Sequence, residues 1–189
     1  RAVREAGVTV EMRDGLSLGE SDWDRFHEFY HATVRAHGAI PYLTRAFFHL
    51  IGAAMPRSVL LALARRGSTY IGGALFFRGR DTLYGRYWGG TEHVPGLHFE
   101  TCYYVAIEYC IAHDLKRFEA GAQGEHKLAR GFVPTPTYSA HWLAHPQFAR
   151  AVADFLAREH GNLEYAMHEL NEHAPFKQRN GVNSLRAEL

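Results

Sequence analysis

The densest set of reactive side chains lies between Glu119 and Arg130. Gln123, Glu125, His126, Lys127 and Arg130 place five polar groups within eight residues, just after a short strand-like stretch, Lys116–Ala120. Loops at strand ends are where sites on α/β sheets gather. Glu125 or His126 could act as general base on an amine. Lys127 and Arg130 could hold a phosphate or carboxylate. Gly121 and Gly124 permit tight turns or close approach of a ligand. The competing reading is a solvated turn and helix with its Lys and Arg in water. A second set lies on a predicted helix over Leu97–Leu115, where Glu100, Tyr104 and Glu108 form an i, i+4, i+8 stripe. Glu108 sits among Val105, Ile107, Tyr109 and Ile111. A carboxylate in such surroundings is paired or has a raised pKa. Arg86 and Arg117 are its candidate partners.

A third set is Tyr84, Arg86 and Trp88, whose alternation places them on one face of a strand. An Arg between two aromatics could clamp an anion, pair with Glu108, or make a cation–π contact. His98, beside Glu100 at the helix start, could line the same cleft or act as a cap. The sequence also contains His27-Glu28-Phe29-Tyr30-His31, which fits the zinc-protease pattern H-E-x-x-H. Against zinc, His27 falls near the apolar stripe Trp23, Phe26, Tyr30, Val34, and Arg25 precedes the motif. His37 and His49 are available third ligands at no family spacing. No metal site is therefore expected, and a zinc hydrolase stands third among the readings. Cys102 and Cys110 lie about 12 Å apart along the helix, too far to bridge, and read as free thiols in a reducing, cytoplasmic compartment. Ser139 and His141 share a predicted strand face, but no acid partner stands out.

These groups need a scaffold. With 47% apolar residues the 189-residue chain can bury a core, and its net charge of +1 offers no basic surface for DNA. No apolar run reaches the ~20 residues that span a bilayer. The chain opens at Arg1 rather than Met, which reads as upstream residues missing, with any targeting segment among them.

The pattern predicts a strand at Val8–Met12 and a helix entered through Ser21 or Asp22 and ended by Gly38. A second helix follows over Tyr42–Met55. Three strands, Ser58–Ala64, Thr69–Phe77 and Thr82–Trp88, form an antiparallel meander. The Leu97–Leu115 helix is apolar almost all round and so expected to be buried. The strand Lys116–Ala120, a short helix, a strand over Thr137–Leu143 and a long helix over Pro146–His173 complete the order. This is an α/β fold of the mixed α+β type, with helices on the faces of a mostly antiparallel sheet. Residues 1–177 are expected to form one domain and 178–189 a polar tail.

That order resembles the GNAT acyltransferase fold. The stretches LYGRYWG (Leu83–Gly89), LHFETCYY (Leu97–Tyr104), RFEAGAQGEHKLARGF (Arg117–Phe132) and PTYSAHW (Pro136–Trp142) resemble the bacterial FemAB-like family of N-acyltransferases, related to peptidoglycan biosynthesis. The resemblance implies transfer of an acyl or aminoacyl group to a small-molecule or peptide amine. No cofactor is held permanently. Acyl-CoA or aminoacyl-tRNA is the co-substrate, with tRNA only a carrier, and an absent N-terminal half packs on this domain. Glu125, His126 or Glu108 then deprotonates the amine, and Tyr138, starting the strand opposite the cleft, protonates the leaving group. Tyr84, Arg86, Trp88, His98, Glu100, Tyr104, Glu119, Gln123, Lys127 and Arg130 line the substrate site. One feature departs from GNAT enzymes: the pyrophosphate-loop position reads GGTEHVPGLHFE, where Glu92 and Glu100 add negative charge with no nearby Arg or Lys expected to balance it. A non-catalytic module binding a peptide or cell-wall precursor is the alternative.

Overall fold

The computed structural model describes residues 2–121, 125–172 and 186–188. They fall into two compact units, 2–121 in the first and the remainder in the second. The first unit begins with a short helix, α1 (Ala2–Glu5), which sequence reading missed, and β1 (Val8–Asp14). Next come α2 (Glu20–Ala36), α3 (Arg45–Ala54), and the strands β2 (Val59–Arg66), β3 (Thr69–Arg78) and β4 (Thr82–Gly90). The central helix runs as α4 (Leu97–Phe99), a π-helical turn (Glu100–Tyr104) and α5 (Val105–Ala112), and β5 (Arg117–Glu119) closes the unit.

Strands β1 to β4 pair antiparallel in chain order, and β5 joins β4 in parallel. This is the mixed sheet expected from the pattern. The run Val59–Ala64 is buried throughout, because β2 is central and covered on both faces. One face carries α2 and α3, whose Trp23, Phe26, Phe29, Tyr30 and Phe48 pack on Val59, Leu61, Leu63 and Leu75. On the other, Val3, Val8, Ala64 and Ile71 pack with Val94 and Leu97.

Local chemistry sets the helix ends. The Asp22 carboxylate accepts from the Gly19 N–H at 2.9 Å, so the acid acts from the third helical position. Thr44 Oγ1 accepts from the Phe47 N–H at 3.2 Å, which starts α3 three residues later than the apolar pattern alone suggests. The Asp24 carboxylate of α2 binds the Arg45 guanidinium through both its oxygens and His49 Nε2 at 2.7 Å, both on α3.

Two details fix how β4 presents its side chains. Leu75 pairs with Tyr87 and Phe76 with Gly85, which leaves Arg86 as an extra residue in β4. Tyr84 therefore stands opposite Phe77 and Trp88 opposite Ala74, an odd number of residues apart. Tyr84 and Trp88 consequently lie on opposite faces, correcting the expectation of a single Tyr84–Arg86–Trp88 face. The other detail is Gly89. A Cβ there would overlap the Phe29 carbonyl and stand 2.7 Å from the Tyr30 nitrogen, so the α2 backbone rests directly on the strand.

The central helix is only half covered, contrary to expectation. Thr101, Tyr103, Ala106 and Cys110 are buried, while Tyr104 and Ile111 are 44% and 66% exposed. In the second unit a 3-10 helix (Glu125–Arg130) precedes α6 (Pro146–Glu172) and a short strand, β6 (Arg186–Glu188). The strand expected over Thr137–Leu143 is absent: the segment has no regular structure, and Tyr138 and Trp142 are 87% and 85% exposed. Alternation alone does not make a strand where no neighbouring strand takes up the ladder.

Two expected outcomes test this account. Gly89→Ala should destabilise the first unit by about 1–3 kcal/mol, because the clash is with helix backbone that cannot rotate away; an unchanged denaturation midpoint would show that α2 does not rest on β4. The second concerns Asp24, whose carboxyl is held well below its ordinary value of 3.8, chiefly by the hydrogen bonds from Arg45 and His49. A depressed carboxylate pKa stabilises the fold above the unfolded value and loses that contribution as pH falls. Asp24→Asn should therefore lower the melting temperature near neutrality, with a gap to wild type that narrows in strong acid. A gap that stays constant across that range would refute the pairing.

Candidate active site

The site is built around the C-terminal end of β4. β5 reaches only Thr82, Leu83 and Tyr84 of β4, through Arg117, Phe118 and Glu119. β4 runs on to Gly90, so its Arg86–Gly90 segment extends past its parallel neighbour. Beyond that end lies a half-open cleft of about 450 Å³, lined among others by Thr33, Trp88, Thr91, Glu92, His98 and Phe99. The loop from Gly90 to Gly96 forms one wall and the first turn of the central helix another. Gly96, at φ +81°, makes the turn into the helix, a conformation that costs most residues with a Cβ.

Three backbone donors at the two ends of this loop are engaged. The Gly90 N–H donates to Thr33 Oγ1 at 3.3 Å, Thr91 N–H to the Ile71 carbonyl at 2.9 Å, and Leu97 N–H to the Val94 carbonyl at 3.0 Å. The expectation that Glu92 lacks a counter-charge is corrected: the Arg66 guanidinium, arriving from the end of β2, binds its carboxylate. Sequence separation hid this pair, since the antiparallel meander brings residue 66 back beside residue 92.

Among the sequence-predicted residues, Trp88 and His98 meet on the cleft wall. The His98 ring stands edge to face with Trp88 and Tyr103, centroids 5.5 Å apart in each case. Glu100 and Tyr104 bracket the π-helical turn, a distortion that clusters at functional sites. Within it, Thr101 is fully buried and its hydroxyl has no hydrogen-bond partner among the described residues. Arg86 is exposed, with its guanidinium over the Tyr87 ring at 5.6 Å. Glu108 is exposed rather than set among apolar groups, because its neighbours in sequence turn to other sides of the helix. Its suggested partner Arg117 instead meets Asp81 at 3.6 Å. Glu119 ends β5 opposite Tyr84.

The remaining predicted residues belong to the second unit. Glu125 heads the 3-10 helix, His126 is exposed, and the Arg130 guanidinium donates to the His126 carbonyl. Lys127 is 3% exposed, so it is not the solvated lysine of the competing reading. Tyr138 lacks the strand that gave it a role. Gln123 lies outside the described residues.

Sequence reading missed a tyrosine cluster. Tyr30 Oη accepts from the backbone N–H groups of Tyr42 and Leu43 at 3.2 and 3.4 Å. The Tyr42 and Tyr87 hydroxyls are hydrogen-bonded. Burial, helped by that bond, pushes the Tyr87 phenol up to about 12. The signal was present as Tyr87 beside Arg86, but plain alternation assigns Tyr87 to the wrong face.

The H-E-x-x-H motif has other employment. His27 and His31 pack together with ring centroids 4.2 Å apart, and Glu28 pairs with Arg25 at 2.6 Å. Burial, then the neighbouring His31, lowers the His27 pKa. His49 is bound to Asp24, and His37 Nδ1 lies 2.8 Å from the Thr33 carbonyl oxygen. Among the described residues no group of three potential ligands forms. Both cysteines are free thiols, and burial pushes Cys110 up to about 12. No helix among the described residues is long and apolar enough to cross a membrane.

No curated protein matches the chain. Among solved structures it is similar to the C-terminal domain of a protein described as a lysylphosphatidylglycerol synthetase from Agrobacterium fabrum, at 8% identity over 59% of this chain, with a TM-score of 0.46. The chain spans only 35% of that domain. It is also similar to an aminoglycoside acetyltransferase from an uncultured soil metagenomic sample, in complex with sisomicin (11% identity, 75% of this chain, 97% of that one, TM-score 0.49). A protein described as a possible acetyltransferase from Clostridium difficile 630 gives 11% identity over 72% of this chain and 99% of that one, with a TM-score of 0.49. A family model described as FemAB-like, peptidoglycan biosynthesis/recognition, matches residues 1–178, and on that match the chain belongs to the FemAB-like family.

Proposed function

We propose that the chain is an N-acyltransferase, moving an acyl or aminoacyl group to an amine in peptidoglycan metabolism. The observation that carries this reading is that β4 runs on past the end of its pairing with β5. A strand edge that outruns its neighbour offers main-chain donors and acceptors to an extended arm, which then lies as an added strand. The bulge at Arg86 interrupts the ladder at that point, and bulges re-aim groups beside active sites. An acyl thioester or aminoacyl ester laid along this edge presents its carbonyl to an incoming amine. The amine nitrogen attacks the carbonyl carbon and a C–N bond forms. The C–S or C–O bond breaks, and the proton lost by the amine ends on the leaving group. The candidate bases are the ones read from the sequence, Glu108, Glu125 and His126.

The stretch GGTEHVPG (Gly89–Gly96) departs from the Gly-rich pyrophosphate loop of CoA-dependent enzymes, which favours an aminoacyl ester over a CoA thioester. The same observation supports a second reading, a module that binds a cell-wall precursor without transferring to it.

Calorimetric titration with acetyl-CoA, longer acyl-CoAs and aminoacyl-tRNA, followed by transfer assays with amine acceptors, separates these readings. Transfer from one donor is expected, and deleting Arg86 to straighten the ladder should reduce it about a hundredfold by misplacing the carbonyl. Equal transfer in the deletion variant, or transfer unaffected by substituting Glu108, Glu125 and His126 one at a time, would contradict the assigned roles. Binding of a precursor with no transfer from any donor would replace the enzyme by the module.

A further inference from the structure

Helix α3 carries an apolar surface that its own unit leaves open. Phe48 and Gly52 are buried on the side packed within the unit. The opposite side, by helical spacing, is Ala46, Leu50, Ala53 and Ala54, all exposed and none charged. Leu50 is 66% exposed, while Ile40 in the entering loop and Met55 at the exit are 88% and 41% exposed. A helix apolar nearly all round is ordinarily covered. Exposed apolar side chains gathered at one such helix mark an interaction surface. The charge around it has one sign. No Asp or Glu stands between Glu28 and Asp81, a stretch that holds seven arginines. Arg35 lies in the last turn of α2, ahead of Ile40, and Arg57 follows Met55; both are exposed. The Arg78 N–H donates to the Ser58 carbonyl at 2.7 Å, which sets the β3–β4 turn, with its exposed Arg80, beside Arg57. Among the described residues no carboxylate lies within ion-pair distance of Arg35, Arg57 or Arg80. Neighbouring acids are mostly engaged: Asp22, Asp24, Glu28 and Asp81 pair with Arg13, Arg45, Arg25 and Arg117, and Asp14 and Glu20 are the exceptions.

We propose that this surface docks on an anionic lipid bilayer. Ile40, Leu50 and Met55 enter the boundary between headgroups and acyl chains, and Arg35, Arg57 and Arg80 meet the headgroup phosphates. Acyl chains adapt to protruding side chains, so no matching groove is needed. A second copy of the chain is a poorer occupant, because facing copies would bring arginines together with few acids to meet them. Nucleic acid would satisfy the arginines but offers its bases to aromatic platforms, and the protruding side chains here are aliphatic. The inference concerns where the chain sits and does not require acyl transfer.

Co-sedimentation of the full 189-residue chain with vesicles tests it, with no acyl donor present. The probes are vesicles of phosphatidylcholine alone and of phosphatidylcholine with about 30% phosphatidylglycerol. Partition onto the anionic vesicles is expected to be stronger by about tenfold and to weaken as salt is added. Leu50→Gln and Ile40→Gln, both at exposed positions, should each weaken partition about fivefold while leaving the melting temperature in place. Arg57→Gln should weaken it about fivefold on anionic vesicles alone. Equal partition onto both vesicles, partition onto neither, or partition unchanged in both Leu50→Gln and Ile40→Gln would overturn the assignment. It would also fall if light scattering showed a dimer that Leu50→Gln dissociates, since a second copy would then own the surface. Tight binding of a homopolymeric RNA with the same dependence on Leu50 would hand the surface to nucleic acid and overturn it equally.

Discussion

Everything on the α2 face of the sheet depends on helix backbone lying directly against strand backbone at Gly89. With no side chain to hold them apart, α2 sits low enough on β4 for Thr33 to take the Gly90 N–H and for Phe29 and Tyr30 to reach the core. Close contact there also sets the height of α3, which the Asp24–Arg45–His49 cluster ties to α2. The tyrosine cluster follows from the same approach, because Tyr30 must stand near β4 to lie between the Tyr42 backbone and the Tyr87 ring.

Much of this fold could be read from residue patterns. The continuous apolar run after Ser58 identified a strand covered on both faces, and the two following strands appeared at nearly their observed limits. The family resemblance also held. What escaped was every feature that breaks a period. Arg86 is one residue too many for strict alternation, so the face of Trp88 came out reversed relative to Tyr84. The π-helical turn is likewise one residue too many for a regular helix, while Glu108 came out in the wrong surroundings because its apolar sequence neighbours turn to other sides of α5. The Thr137–Leu143 segment failed differently: it alternates but lacks a ladder to join. Hydrophobic period reports which side of an element is covered; it carries no record of where the period slips.

The candidate site shows the same division. Trp88 and His98 were recognisable by type and do meet. Arg66, 26 residues from Glu92, was not. Its guanidinium changes the character of the loop from acidic to neutral. Charge read along a sequence omits the partners that strand pairing supplies, and here the omission decided whether the cleft looked hostile or merely uncharged.

The π-helical turn also has a genetic meaning. A π turn holds one residue more than the α-helical turn it replaces, so loss of a single codon within Glu100–Tyr104 would return the helix to its regular form. Every later side chain on α5 would then swing by about 100° around the axis. Cys110 would leave the core and a neighbour would take its place, with no other residue changed. Surfaces of this helix are therefore one indel away from exchange, a route by which related chains can diverge in what the helix presents while keeping nearly the same letters.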